Sequence, residues 1–181
     1  MSGSLTQAGG NNRIYTPPPL ARAIVRHFNP AGSACDPCMG KRAFINALDA
    51  TECTEVVGFE IDHGTDFLAY SHPDPSRFQW IITNPPWGKP FFRQFLVKSM
   101  EVADNVVFLC CTNALFYNGR YNDIEKAGFG IKEIAMVYPV PSAPWPSSGF
   151  RLSANHLQRG WTGDTKFSKI NWSEGEEDFW G

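Results

Sequence analysis

The apolar run Phe78-Gln79-Trp80-Ile81-Ile82-Thr83 stops against Asn84-Pro85-Pro86-Trp87, and no other feature restricts the fold of this chain as strongly. The run reads as a strand, and two consecutive prolines cannot continue its hydrogen-bond ladder. Both prolines fix φ, and Pro85 pushes Asn84 out of the helical region, so the Asn84 side chain and the Pro85 carbonyl are held towards one space. The Trp87 indole beside them offers a stacking face. The expected result is a rigid cup at the carboxyl edge of a sheet, suited to a flat base that carries an amino group. Four residues of this kind also occur in ordinary turns and Pro-rich ligand segments, so the rest of the chain has to decide.

Around this strand, apolar runs alternate with helical stretches, with no internal repeat and no long low-complexity linker, which predicts an α/β fold with a largely parallel sheet. Thr16, ahead of Pro17, Pro18 and Pro19, is an N-cap candidate for a helix in which Leu20, Ile24 and Phe28 recur at helical spacing until Asn29-Pro30. Ser33-Ala34-Cys35-Asp36 reads as a short strand ending in an acid, followed by Pro37-Cys38-Met39-Gly40 and a helical stretch through Ala43, Phe44, Ile45 and Leu48. Strand, acid, glycine turn and helix is how α/β folds build a cofactor site at the carboxyl ends of their strands. Residues 55–62 read as a second strand ending in acid, where a carboxylate such as Glu60 can accept both hydroxyls of a ribose. In Gly64-Thr65-Asp66-Phe67 an acid stands beside an aromatic, a pair able to bond an adenine amino group and cover its face. After the cup, Phe91, Phe95 and Leu96, extended by Val97 and Met100, predict a helix face that belongs to the core. Residues 105–111 and 131–138 read as strands and 114–127 as a polar helix, while 152–158 and 165–172 are expected to pair as a closing antiparallel hairpin. The Pro-rich segment 139–150 is a loop, read either as flanking a bound base or as a plain connector.

A chain of 181 residues with 43% hydrophobic and 19% charged residues suits one domain with a sizeable core. That domain is expected over 1–172, with 1–13 flexible and 173–181 an acidic, disordered tail. The Gly/Ser/Asn-rich start lacks an export signal, and no apolar run approaches the roughly 20 residues that cross a bilayer. Five cysteines do not pair evenly, which together with the missing signals predicts a cytoplasmic protein without a membrane partner. A net charge of −2, with an acidic stretch at 161–181 and a nearly neutral remainder, is a weak electrostatic footprint for a polyanion. Lys89, Arg93, Lys98 and Arg120 are the local cations near the cup. Cys35-x-x-Cys38 has the spacing of metal and redox sites, but Cys53, His63 and His72 make no convincing second ligand pair, so no metal is expected.

Asn84-Pro85-Pro86-Trp87 resembles the [D/N]-P-P-[Y/F/W] motif of the S-adenosylmethionine-dependent amino methyltransferases, and its Trp form is similar to that of the enzymes that methylate adenine N6. Tyr15-Thr16-Pro17 looks like the family's amino-terminal segment at the methionine end of the cofactor. Asp36-Pro37-Cys38-Met39-Gly40 looks like the first cofactor motif, Glu60 like the ribose-binding acid and Asp66-Phe67 like the adenine-binding motif. The order, cofactor segments before the catalytic motif, is similar to the γ-type arrangement of adenine-N6 DNA methyltransferases.

The resemblance implies a Rossmann-like class I methyltransferase fold. It also implies S-adenosylmethionine held by Tyr15, Thr16, Pro17, Asp36, Pro37, Gly40, Glu60, Asp66 and Phe67, with Asn84, Pro85, Pro86 and Trp87 catalytic. The expected reaction is methyl transfer to the exocyclic amine of a flipped-out adenine in DNA. Few residues lie beyond the motifs, so site preference is expected to be short or relaxed, or aided by a protein partner, as in compact phage or prophage enzymes acting in a host cytoplasm. RNA adenine-N6, glutamine or guanine-N2 methylation, and a degenerate fold that binds without catalysis, stay open. The chain departs from the family at Arg42, where the second glycine of Gly-x-Gly would fall. The expectation is that Arg42 starts the helix in permitted geometry with its side chain turned outward.

Overall fold

In the computed structural model, which describes residues 14–74, 77–142, 145 and 151–173, helices cover both faces of a seven-stranded sheet. The strands are β1 (Ala31–Asp36), β2 (Glu52–Gly58), β3 (Phe78–Thr83), β4 (Ala103–Cys111), β5 (Phe129–Tyr138), β6 (Leu152–Arg159) and β7 (Lys166–Asn171). Their spatial order is β2-β1-β3-β4-β6-β5-β7, and only β6 runs against its neighbours. The other six strands therefore end on one carboxyl edge. The helices are α1 (Pro18–Phe28), α2 (Ala43–Asp49), α3 (Phe91–Val102) and α4 (Asn118–Lys126).

Strand alternation divides the core between the two faces. Along β4, Val106, Phe108 and Cys110 point to the α3 and α4 side, against Phe92, Phe95, Leu96 and Ile124, while Val107 and Leu109 point to the α1 and α2 side, against Leu20, Ile24 and Leu48. Each fully buried side chain of this size contributes about 1.5–3 kcal/mol. Ile131 and Ile134, three residues apart, share the α3 and α4 side because the pairing of β5 with β6 slips between Ile131 and Glu133. A second slip, between Gly32 and Ser33 of β1, seats the Gln79 side chain, whose carbonyl accepts from Ser33 N at 2.7 Å. Only glycine suits position 32: φ is +81° and a Cβ would lie 1.5 Å from Gln79 Oε1.

Several expectations change here. Thr16 does not cap α1; Pro17 occupies that position and its carbonyl accepts from Ala21 N at 3.0 Å, so the helix starts on prolines that need no amide partner. The second strand ends at Gly58, which leaves Glu60 in the loop beyond it, before the 3-10 turn Ile61–His63. The closing hairpin is β5 with β6, not β6 with β7; β7 lies on the far side of β5 and parallel to it. Burial gives the reason. Six consecutive residues of β6 are buried, which an interior strand allows, whereas Lys166, Phe167 and Lys169 of β7 are exposed, which suits an edge. Residues 1–13, most of the acidic tail and most of the Pro-rich loop lie outside the described residues. No helix among the described residues is long and apolar enough to cross a membrane.

Candidate active site

Three polar residues meet at the carboxyl edge because three adjacent parallel strands end there. Asp36 closes β1, Asn84 follows β3, and Glu60 lies two residues past β2. Asp36 is only 1% exposed and accepts from Thr83 Oγ1 at 2.7 Å and from Cys38 N at 3.1 Å. Burial pushes its carboxyl up to about 7 against the pull of these two bonds, and the Glu60 charge adds to the rise. Such a carboxyl, held at the edge of neutrality, gains most from a positive group placed beside it.

The loop from β1 to α2 is a tight cradle. Gly40 N donates to Glu60 Oε2 at 2.9 Å, Met39 N to Phe59 O at 3.0 Å and Arg42 N to Met39 O at 2.6 Å. Gly40 has φ +47°, and a Cβ there would come within 3.0 Å of the Tyr15 ring. Lys41 Nζ sits 4.8 Å from the centre of the same ring. Arg42 has its side chain exposed, as expected, but its backbone takes φ +65° and ψ 22°, the left-handed region that a glycine occupies freely and other residues uncommonly. For a non-glycine residue that conformation costs roughly 1–2 kcal/mol.

Tyr15, Thr16, Asp36, Cys38, Gly40 and Asn84 line a small cleft of about 40 Å³, together with Ile14, Met39, Lys41, Ala43 and Phe44. Asn84 Nδ2 donates to the Ile14 carbonyl at 3.1 Å, which leaves Oδ1 as the acceptor of that amide. Pro85 is buried and Pro86 exposed. The half-buried Trp87 is clamped by its Nε1, which donates to Leu109 O at 3.2 Å, and Trp145 of the Pro-rich segment meets it edge-on at 5.5 Å.

Other expected residues lie apart. Phe67 is 1% exposed, edge-on to Phe59 at 5.4 Å and stacked on Phe95 at 5.9 Å, so it is part of the core and has no free face to cover an adenine. Asp66 accepts from Leu68 N at 2.9 Å and caps the 3-10 turn Phe67–Ala69. Pro17 caps α1 and Pro37 is buried behind Asp36. Sequence reasoning missed Thr83 and the cleft roles of Cys38, Met39 and Lys41. Thr83 carried a signal: a hydroxyl closes an otherwise apolar strand, next to the strand that ends in Asp36.

By sequence, the chain matches no protein-family model and no curated protein. By structure, it is similar to a Vibrio vulnificus protein assigned as the modification subunit of a type I restriction enzyme, with a TM-score of 0.65 and 19% identity over 93% of this chain and 49% of that one. The fold is that of the class I S-adenosylmethionine-dependent methyltransferases. The M protein of the type I restriction enzyme EcoKI aligns with a TM-score of 0.56 and 16% identity, over 81% of this chain and 44% of that one. A Pyrococcus horikoshii protein assigned as an RNA methyltransferase aligns with a TM-score of 0.57 and 16% identity, over 77% of this chain and 79% of that one. The chain thus spans about half the length of the type I modification subunits it matches.

Proposed function

We propose that this chain binds S-adenosylmethionine at the carboxyl edge of the sheet and transfers its methyl group to the N6 amine of a flipped-out adenine in DNA. The observation that carries the reading is the orientation of Asn84. With Nδ2 donated to Ile14, its Oδ1 faces the task of accepting an N–H, beside a cleft lined by Asp36 and Tyr15. The lone pair of adenine N6 is delocalised into the ring, so N6 is a poor nucleophile until its hydrogens are held. Asn84 Oδ1 and the Pro85 carbonyl would each accept one of them and free the lone pair. Trp87, fixed by Leu109, would stack on the base, a contact worth ~1–3 kcal/mol at comparable sites. In a duplex, extruding the base costs a few kcal/mol first.

The residues present fit the cofactor. Buried Asp36 suits a neighbouring positive charge, Gly40 leaves room that a Cβ would fill against Tyr15, and Glu60 has acceptor capacity beyond its bonds to Gly40 N and Asp62 N. The enclosed cleft is smaller than the whole molecule, so Glu60 would act from its open rim. When bound, the cofactor supplies an electrophilic methyl group on a sulfonium. The chain's contribution is alignment, which turns a bimolecular reaction into an effectively unimolecular one.

The test incubates the protein with methyl-labelled S-adenosylmethionine and duplex DNA, single-stranded DNA or RNA, then digests the products to nucleosides. Label in N6-methyladenine from DNA is expected, and Asn84→Ala should lower it by at least ~100-fold with cofactor affinity little changed. Full activity in that variant sinks the reading. A second reading, an RNA adenine-N6 methyltransferase, is favoured by the near-equal coverage of both chains in the Pyrococcus horikoshii alignment, and label confined to RNA would select it.

A further inference from the structure

Among the described residues, seven large apolar side chains stand well exposed, and three of them, Phe116 (49%), Tyr117 (59%) and Tyr121 (41%), fall within six positions at the start of α4. Chance exposure of single apolar residues is ordinary; a cluster of rings is not. The segment leaves β4 through the 3-10 turn Thr112–Phe116, so it rises from the same carboxyl edge as Asn84, on the strand that neighbours β3.

Two contacts tie it to the cup. Trp87 is bonded to Leu109 near the end of β4, and the Arg120 guanidinium lies 4.2 Å from the ring of Phe92, in the first turn of the helix that follows the cup. The same guanidinium stands 5.1 Å from the Tyr117 ring and donates to Ala114 O at 2.6 Å, so one cation pins the turn and backs an exposed ring. The charge around these rings is favourable to a polyanion. Of the two acids of α4, Asp123 is neutralised by Arg93, which donates to both its oxygens at 2.5 and 2.8 Å, and exposed Glu125 is followed by exposed Lys126. Lys89 is exposed just beyond Trp87.

Exposed rings interleaved with cations are the device by which proteins hold unpaired strands: bases stack on the rings whatever their identity, and the backbone follows the charge. A stacked duplex has no free base faces to offer such rings. We infer that the surface formed by Phe116, Tyr117, Tyr121 and Arg120 binds single-stranded DNA next to the target adenine. The inference rests on the reading of the cup as acting on DNA. It gives the enzyme a preferred substrate, an unpaired or locally melted strand, and places the flanking nucleotides on Tyr117 and Tyr121.

The test measures binding of the full chain, by fluorescence anisotropy, to a labelled 15-residue single-stranded DNA, to its duplex and to the RNA of the same sequence. The single strand should bind at least tenfold more tightly than the duplex. The double variant Tyr117→Ala/Tyr121→Ala should lose at least tenfold of that affinity while its calorimetric affinity for S-adenosylmethionine and its melting temperature stay close to those of the parent. Unchanged single-strand binding in the double variant overturns the inference, as does a parent that binds the duplex equally well or the RNA more tightly. If the tyrosines govern single-strand binding but no polymer is ever methylated, the surface stands and the catalytic reading of Asn84 falls.

Discussion

Replacing Asp36 with Asn should make the protein's stability less sensitive to pH between about 4 and 7, by an amount that follows from the burial of one carboxyl. Asp36 is 1% exposed and its carboxyl is raised from 3.8 to about 7. Between those values the folded chain keeps a proton that the unfolded chain has released, so stability falls as pH rises, and it levels above 7. Each unit of pH inside that window is worth about 1.4 kcal/mol, so from pH 5 to pH 8 the wild type loses roughly 3 kcal/mol through this group. The amide of Asp36→Asn can still accept from Thr83 Oγ1 and Cys38 N, but it cannot ionise. Any cost of burying its extra N–H groups is the same at every pH. His156 works in the opposite sense, since burial, with Lys132 adding, pushes it down to about 4, so stability rises with pH until about 6.5. Both proteins carry His156, and the difference between them cancels it. Urea titrations at pH 5 and pH 8 should therefore show the variant gaining about 2–3 kcal/mol on the wild type, and thermal melts a relative gain of roughly 5–10 °C. A gap that stays within about 0.5 kcal/mol across that range refutes the claim that Asp36 is buried and shifted.

Two further outcomes belong to the same loop. Arg42→Gly should raise stability by about 0.5–1 kcal/mol, because relief of the left-handed conformation exceeds the entropy glycine adds to the unfolded chain; an unchanged or lower denaturation midpoint argues against that strain. Binding of a cationic ligand beside Asp36 should displace its proton, so affinity for S-adenosylmethionine should rise towards pH 7 by up to about tenfold per unit; calorimetry in two buffers of different ionisation enthalpy would show proton release, and its absence would place the positive group elsewhere.

The parts of the fold that local chemistry dictates were legible. Strand ends at Asp36 and Thr83, the stop of α1 at Asn29 in a left-handed conformation, and the apolar face of α3 all follow from neighbours in sequence. What pairs with what was less so, because alternation reports burial and not partners. The edge position of β7 was readable only from its exposed lysines, and its parallel pairing with β5 not at all. Within the candidate site, Asp36, Glu60 and Asn84 emerged from the sequence because each stands at or just past the end of a strand, and Gly40 because it marks the turn that follows β1. Asp66-Phe67 misled for a physical reason. With no α-helix between β2 and β3 among the described residues, that segment must itself cover the core beneath Phe59, and an aromatic there is drawn inward. Arg42 was misjudged because a left-handed φ leaves no trace in sequence when the residue is not glycine or asparagine.

The loop from Asp36 to Arg42 concentrates the fold's local costs. The carboxyl of Asp36 is buried against roughly 4 kcal/mol at pH 8, from the shift of its carboxyl, and Arg42 adds roughly 1–2 kcal/mol of backbone strain. Against the roughly 5–15 kcal/mol by which domains of this size are stable, that is a large fraction. The rest of the molecule offsets it. Apolar clusters on both faces of the sheet and the seven-stranded ladder hold β1 and β3 in register regardless of the loop, so the loop keeps a geometry it would not adopt alone. A positive group beside Asp36 offsets the cost of its buried charge, while the strain at Arg42 is relieved by glycine at that position. The larger cost, at Asp36, therefore lies where a bound cation would recover it, and a chain that had lost such a ligand would be free to lose that cost too, by a single change of Asp36 to a neutral residue.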